Sequence, residues 1–442
     1  MTANAETAPR LRYTVTPMSL LRLRQSAERL IYRVAGLPVA MGAAIGGSDD
    51  PLHAVFARRY WRPENATEWA ELAAAMILWP FGLLGASAWF TARNGAVIRG
   101  RTGKRISAQL REQLALYFSD GILPPWYYIF SLHDDGARRA PTYIQRFETK
   151  TCYFRLLKRR KGSPLNDKRA FAEHCAKHDI RSVETLMTID GADPGEPLPD
   201  RDLFVKPQGG RGGRGAERWD RVAPQTFASP AGEELTADEL LKELVERSRE
   251  RPLIVQSRMR PHPDLARITS GALPTLRVLT CLNENDEPEV MTAMIRTSFG
   301  ANKTVDNLHA GGIGTLVDVE TGKLGKASNL GADARLGWFS EHPDTGEPIE
   351  GTTVPCWEDV KRQAVSAHRA FDDRVVIGWD ISVLDDGPIF IEGNGNPDLD
   401  ILQRFMPIGL RQHRFAHLLA HHLARRGALA SSRPQSGELA TK

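Results

Sequence analysis

The stretch GWDISVLDDGPIFIEGN, residues 378–394, constrains the fold of this chain more than any other segment. Two apolar strands flank the tight connection Asp385-Asp386-Gly387, and strand residues point alternately to opposite faces, so the register of the hairpin decides which side chains meet. A three-residue loop with Gly387 in the left-handed conformation pairs Leu384 with Pro388 and, counting back, sets Asp380 opposite Glu392. Asn394 adds a third oxygen to the same face. Two carboxylates facing each other at roughly 5 Å repel, so a positive group belongs between them. A hard cation with oxygen ligands, Mg²⁺ or Mn²⁺, is the economical choice, because it keeps waters and shares its remaining positions with phosphate oxygens. The competing reading is a solvated hairpin with ordinary surface acids. The apolar neighbours Val375, Val376, Ile377, Ile389, Phe390 and Ile391 favour a buried strand pair instead.

A second chemical feature lies upstream in DLFVKPQGGRGGRGAERW, residues 202–219. A short apolar strand carries Lys206 and is followed by a loop containing Gly209, Gly210, Gly212, Gly213 and Gly215, with Arg211 and Arg214 among them. Glycine lets backbone N–H groups approach phosphate oxygens without a Cβ in the way. Gly210-x-Gly212-x-x-Gly215 matches the dinucleotide fingerprint literally but lacks a convincing following helix. A protein-kinase loop precedes its lysine, whereas here the lysine comes first, and the Gly-Lys-Ser/Thr of a P-loop is absent. Two readings stay open: a strand lysine on phosphate under a closing glycine flap, and a disordered Gly-Arg loop.

At 442 residues the chain has room for two or three domains, and a net charge of +4 with pI near 8.8 gives no case for nucleic acid. The basic run from Arg155 to Lys161 is short enough to be a solvated face. Cys152, Cys175, Cys281 and Cys356 are widely spaced, which suggests neither a zinc site nor a disulfide framework and makes a reducing, cytoplasmic compartment the default. The first thirty residues carry charges throughout, unlike a secretory signal. Leu72 to Phe90 is 19 residues without a charge. With Pro80 and Gly82 in its middle, it reads as a kinked or hairpin insertion, an interfacial helix, or two buried helices meeting at a turn. Membrane contact through 72–90, and a location peripheral to or anchored in the inner face of a membrane, follow only from the first two. Helical patterns continue over 105–160, and from Asp167 strands and helices alternate to about residue 405. Thr236, with Glu239 three residues on, marks a capping box opening an amphipathic helix. The tail from Arg425 has the composition of a disordered segment.

Lysine, glycine flap and a distal Asp…Glu-x-Asn together resemble the ATP-grasp superfamily. NDKRAFAEHCAKHDI (166–180) is similar to its opening helix, with Lys168 as a first nucleotide-contacting lysine, and PLIVQSRMRPHP (252–263), containing Gln256, is similar to its hinge strand. LPTLRVLT (273–280), MIRTSFG (294–300) and VDNLHAGGIGTLVDVETGKLG (305–325) resemble the sugar-transfer associated subgroup. The resemblance implies an α+β fold in which two α+β subdomains sandwich the nucleotide, here preceded by a mostly helical region. Residue patterns and the resemblance together divide the chain into 1–100 (helical, with no assignment from the resemblance), 101–165 (helical), 166–424 (ATP-grasp) and the tail 425–442. The resemblance also implies an ADP-forming, ATP- and Mg²⁺-dependent ligase working through an acyl-phosphate, with a small-molecule carboxylate and an amine or sugar-linked acceptor. Asp380, Glu392 and Asn394 would hold metal; Lys168, Lys206, the flap glycines and Gln256 would hold nucleotide. Arg277 and Arg296, charged residues on apolar strands, would meet the transferring phosphate, or else form structural ion pairs with Asp or Glu. His309 is either a base toward the amine or part of a structural loop, and Asp306 and Asn307 resemble family positions that shape the acceptor loop. Two alternatives to ligation stay open: an ATP-dependent phosphotransferase, and an ATP-binding module in a membrane-associated assembly.

Overall fold

Antiparallel pairing organises the chain from Thr185 onward into two sheets. The computed structural model describes residues 18–46, 50–157, 162–209, 215–300 and 303–427. The expectations for Gly210, Gly212 and Gly213, for the basic run beyond Leu157 and for the tail beyond Gly427 fall outside those residues. The smaller sheet contains β1 (Thr185–Ile189), β2 (Leu203–Pro207), β3 (Glu217–Ala223), β4 (Thr226–Ala228), β5 (Glu234–Thr236) and β6 (Leu253–Ser257), in the order β1-β6-β2-β3-β4-β5. The Ala237–Ser248 helix covers one face, packing Leu240 and Leu244 on Leu203, Val205, Leu253 and Val255. Its start is the expected capping box, Thr236 accepting from the Glu239 N–H while the Glu239 carboxylate accepts from the Thr236 N–H. The cross-strand pairs Phe204–Gln256 and Lys206–Ile254 alternate with those core residues and lie on the opposite face.

The larger sheet contains β7 (Thr275–Leu282), β8 (Pro288–Thr297), β9 (Ile313–Val317), β10 (Ala327–Ser328), β11 (Trp338–Phe339), β12 (Val376–Leu384) and β13 (Gly387–Asn394). Their order is β11-β10-β9-β8-β7-β12-β13. On one face the Trp357–Ala370 helix packs with Leu276, Val278, Ala293, Ile295, Trp379 and Phe390. On the other, Leu279, Cys281 and Met294 are covered by the Leu399–Phe405 and Arg414–Arg425 helices, together with Leu52, Val55, Cys152 and Leu156 of the helical region. The small sheet is tied to the β12–β13 hairpin where the chain enters it and where it leaves. Phe390 N–H donates to Arg181 O at 2.9 Å, Val183 N–H to Phe390 O at 3.1 Å, and His262 N–H to Val383 O at 2.8 Å.

The uncharged segment is neither kinked apart nor buried as two helices. Ala66–Thr102 is one helix of 37 residues with Pro80 inside it, capped by Asn65 and ended by Gly103 at φ +74°. Proline removes a single N–H and does not stop a helix whose neighbouring turns are otherwise bonded. The helix runs through the boundary expected at residue 100, and Ile106–Asp120 packs back along it through Gln113 to Thr91 at 2.7 Å.

A buried ionic joint fastens the helical region to the C-terminal helices. Glu148 is fully buried and accepts from Arg411 Nη2 at 2.7 Å, and it lies 2.9 Å from His53 Nε2. Arg411 also pairs with Asp50, the residue that caps the Pro51–Tyr60 helix. Burial alone would raise the Glu148 pKa, but Arg411 and His53 hold it down to about 2. Removing one partner leaves a buried charge uncompensated, so Arg411→Ala is expected to cost about 3–5 kcal/mol, read as a lowered urea midpoint. The same carboxylate contributes stability in full above its ordinary 4.5 and loses it as pH falls toward about 2. Unfolding midpoints of Glu148→Gln are therefore expected to fall less steeply with acid than those of wild type.

Candidate functional site

Asp380 and Glu392 are paired across β12 and β13, so their side chains share one face. The route to that pairing differs from the expected one. Asp385 and Asp386 form a two-residue turn, which pairs Leu384 with Gly387, Val383 with Pro388 and Ile381 with Phe390. A bulge at Ile391 then supplies the missing residue and restores Asp380 opposite Glu392. Beyond the bulge, Gly393 lies against the core: a Cβ there would come 2.5 Å from Leu165 Cδ2 and 3.0 Å from Trp379 Cζ3. The residue between Glu392 and Asn394 is therefore held to glycine by packing.

Asp380 is 4% exposed and lies between two arginines. Arg277, its neighbour across β7, donates from Nε at 2.5 Å and from Nη2 at 3.0 Å; Arg296 donates from Nη2 at 3.1 Å. These contacts are the ion pairs that stood as the alternative for Arg277 and Arg296. Burial would push the Asp380 carboxyl up, but the two guanidiniums hold it well below the usual carboxylate range. Arg296 is also held from behind. Asp306 lies 3.4 Å from its Nε, accepts from the Thr275 N–H at 3.1 Å and accepts from the Thr275 hydroxyl. Burial and the nearby Asp380 raise the Asp306 pKa, while Arg296 and Thr275 oppose the rise. Sequence reasoning placed Asp306 only in the acceptor loop. Its pairing with Arg296 depends on a loop return so close that a Cβ at Gly312 would come 2.3 Å from Asp306 O, and residue order carries no signal of it. His309 is exposed in the same loop, where Asn307 Oδ1 accepts from its N–H at 2.8 Å.

The small sheet brings its own cations to this face. Lys206 extends from β2 on the side away from the sheet's core, and its ammonium is close enough to Glu392, Asp380 and Lys168 for each to shift its titration. Desolvation lowers it most and Lys168 lowers it further, against the pull of Glu392 and Asp380, leaving a pKa of about 8. Lys168 opens the Lys168–Lys177 helix and donates to Gln208 O at 3.4 Å, while Gln208 Nε2 reaches the capping Asp167 at 3.4 Å. Gln256 shares the Lys206 face and is nearly buried, with its amide donating to Val183 O at 3.4 Å. Gly215, at φ +77° and with its Cβ direction 3.1 Å from Pro207, closes the glycine loop, and the strand β3 begins at Glu217. A dinucleotide fingerprint would open a helix there; the observed element is a β2–β3 hairpin.

The donor set suits a hard cation in a specific way. A carboxylate offers about four lone-pair positions; three are engaged on Asp380, leaving capacity on Oδ1. Glu392 and Asn394 are half-buried and adjacent, with Asn394 Nδ2 at 3.3 Å from Glu392 Oε1, and rotating that amide by half a turn presents its oxygen instead. Among the described residues, no group of three or more His, Cys, Asp or Glu side chains assembles. A metal at two carboxylates and an amide would complete its shell with water and phosphate, as Mg²⁺ commonly does.

A lysine with a pKa of about 8 is distinguishable from an ordinary one. In ¹³C NMR of reductively methylated protein, one dimethyl-lysine resonance is expected to titrate near pH 8 and to be missing from Lys206→Met. Uniform titration near pH 10 would contradict this placement of Lys206.

A search of curated proteins finds no match to the chain. Among solved structures it is similar to carboxyaminoimidazole ribonucleotide synthase from Aspergillus clavatus complexed with ATP, at 14% identity and TM-score 0.30, covering 52% of this chain and 44% of that one. It is similar to D-alanyl-alanine synthetase A from Vibrio cholerae at 12% identity and TM-score 0.34, covering 60% and 65%. It is also similar to the ATP-grasp ligase PsnB complexed with minimal precursor, Mg and ADP, at 14% identity and TM-score 0.30, covering 59% of each chain. The chain thus spans under half the length of the first of these structures and under two thirds of the other two. The sugar-transfer associated ATP-grasp family matches residues 149–416, more than half of the chain and the whole of the stretch bearing both sheets and the Asp380 face, and the chain belongs to that family.

Proposed function

We propose that this protein is an ADP-forming ligase that activates a small-molecule carboxylate with ATP and passes the acyl group to an amine. One observation carries the reading. Lys206 of the small sheet meets the field of Glu392 and Asp380 of the large sheet, so cationic and anionic groups from two separate sheets converge on one space. Polyphosphate with a divalent cation fits that mixture, because the lysines take phosphate oxygens while the carboxylates take the cation.

In this reading Lys168, Lys206, Gln256 and the loop Gly209–Gly215 hold the nucleotide, and Asp380, Glu392 and Asn394 hold Mg²⁺ or Mn²⁺. The metal would neutralise charge on the phosphates. A substrate carboxylate oxygen attacks the γ-phosphorus, the bond to the β-bridging oxygen breaks, and ADP leaves with that electron pair. The amine then attacks the acyl carbon of the acyl-phosphate and phosphate departs, so the sum is amide, ADP and phosphate. Arg277 gives two of its N–H donors to Asp380 and Arg296 engages through Nε and Nη2, which leaves N–H groups on both for the transferring phosphoryl oxygens. Asp380 orients both forks; Asp306 and Thr275 orient Arg296. A sugar-linked or cell-envelope acceptor is suggested by the family's description.

The test is calorimetry of ATP with and without Mg²⁺, on wild type and Glu392→Gln. Binding is expected to depend on Mg²⁺ and to weaken at least about tenfold in the variant, the order of a lost charge-assisted contact. Binding that ignores both metal and substitution would overturn the shared site. With carboxylate libraries and hydroxylamine, formation of hydroxamate alongside ADP is the expected sign of an acyl-phosphate. Transfer of phosphate to a hydroxyl, without hydroxamate, would make the protein a phosphotransferase. Because the ammonium of Lys206 is lost as pH rises through about 8, ATP affinity is expected to decline above that pH, and to lose that dependence in Lys206→Met.

A further inference from the structure

The Ala66–Thr102 helix is apolar on a side that no described residue covers. One stripe, with Leu72, Ala75, Leu83, Ser87, Thr91 and Asn94, is buried against the body. Yet only 22% of the helix's most apolar window is buried. Trp69, Met76, Ile77, Phe81 and Leu84 are all exposed, Phe81 at 72%. At helical spacing these five fall within an arc of about 140°. Exposed Phe118, on the neighbouring Ile106–Asp120 helix, packs edge-on against the half-buried Trp79, ring centroids 6.1 Å apart. Contiguous apolar surface of this kind marks a contact with another phase or molecule.

The charge around the patch identifies the occupant. From Thr91 through Phe118 the chain carries Arg93, Arg99, Arg101, Lys104, Arg105 and Arg111 against a single acid, Glu112, which is paired with Lys104, and the acids at the other end of the patch, Glu68 and Glu71, are paired with Arg33, Arg59 and Arg29. Arg99, Arg105 and Arg111 are exposed. Apolar side chains with exposed arginines at one end and ion-paired acids at the other match an anionic phospholipid surface, where acyl chains receive the first and headgroups the arginines. We infer that this exposed side seats the protein on an anionic bilayer, with the helix lying along the membrane plane.

Crossing the bilayer is incompatible with how the helix is tied. Near its start Glu68 pairs with Arg33 at 3.1 Å and Arg59 at 2.8 Å; toward its end Arg93 pairs with Asp333 at 3.1 Å, and Arg101 donates to Ala334 O and Arg335 O, both at 2.5 Å. Both ends belong to one body, which stays on one side of the membrane. Trp69, exposed within that arc, brings an indole suited to the headgroup level.

The full-length chain is sedimented with phosphatidylcholine vesicles and with vesicles in which a third of the lipid is phosphatidylglycerol. Binding is expected to the anionic vesicles, to weaken with salt, and to fall at least about tenfold when two apolar anchors are replaced by charge in Ile77→Glu/Phe81→Glu. It is expected to fall also in Arg105→Glu/Arg111→Glu. Both variants alter exposed positions, and an unchanged melting temperature and ATP affinity separate loss of the surface from loss of the fold or of the nucleotide site. Absence of wild-type binding to anionic vesicles, or binding that Ile77→Glu/Phe81→Glu leaves intact, overturns the inference. A dimer that the same substitutions dissociate, with no vesicle binding, also overturns it and assigns the patch to a second copy of the chain.

Discussion

A carboxylate at 4% exposure in the middle of a sheet would be protonated or displaced without compensation, and Asp380 is kept ionised by two guanidiniums that are themselves sunk into the same face. The rest of the site depends on this arrangement. The arginines are positioned because the carboxylate fixes their forks, and Arg296 is fixed twice, with Asp306 behind it. Glu392 is half-buried and bonded to Asn394 rather than to an arginine, and it lies across the gap from Lys206. Two carboxylates directly opposed on a hairpin thus differ in one task. Asp380 also organises the arginines of the protein, and both carboxylates face Lys206 across the space between the sheets.

That division bears on what could be read from residue order. The opposition of Asp380 and Glu392 came out as expected because two departures from the expected hairpin offset each other. The turn geometry did not, because the bulge at Ile391 answers to Gly393 packing on Leu165 and Trp379, which are distant in sequence or on the partner strand. Parity survived since the shorter turn and the inserted residue cancel. The pairing of Arg277 with Asp380 spans 103 positions and that of Arg296 with Asp380 spans 84, so residue type gave a demand for partners without their identity.

Local signals fared well where the local interaction is strong. Thr236 and Glu239 satisfy each other within one turn. They fared worse for the helical region. Pro80 suggested a break, but a 37-residue helix held at both ends by ionic contacts outweighs one missing hydrogen bond. The joint of Arg411 with Glu148 and Asp50 joins residues more than 260 positions apart, and no periodicity announces it. It nevertheless makes the helices around Leu52 and Cys152 part of the wall of the large sheet rather than an appended module.

The two backbone ties of the small sheet have a mechanical meaning. The strand segment Arg181–Val183 bonds Phe390 just before the chain turns into β1, and His262 bonds Val383 shortly after β6 ends. Both attachments fall on the hairpin that carries Asp380 and Glu392, so the small sheet is mounted like a door whose two hinges are set in the frame beside the lock. Tied at both its entry and its exit, the small sheet cannot shift away from Asp380 and Glu392 without breaking backbone hydrogen bonds to the hairpin that carries them.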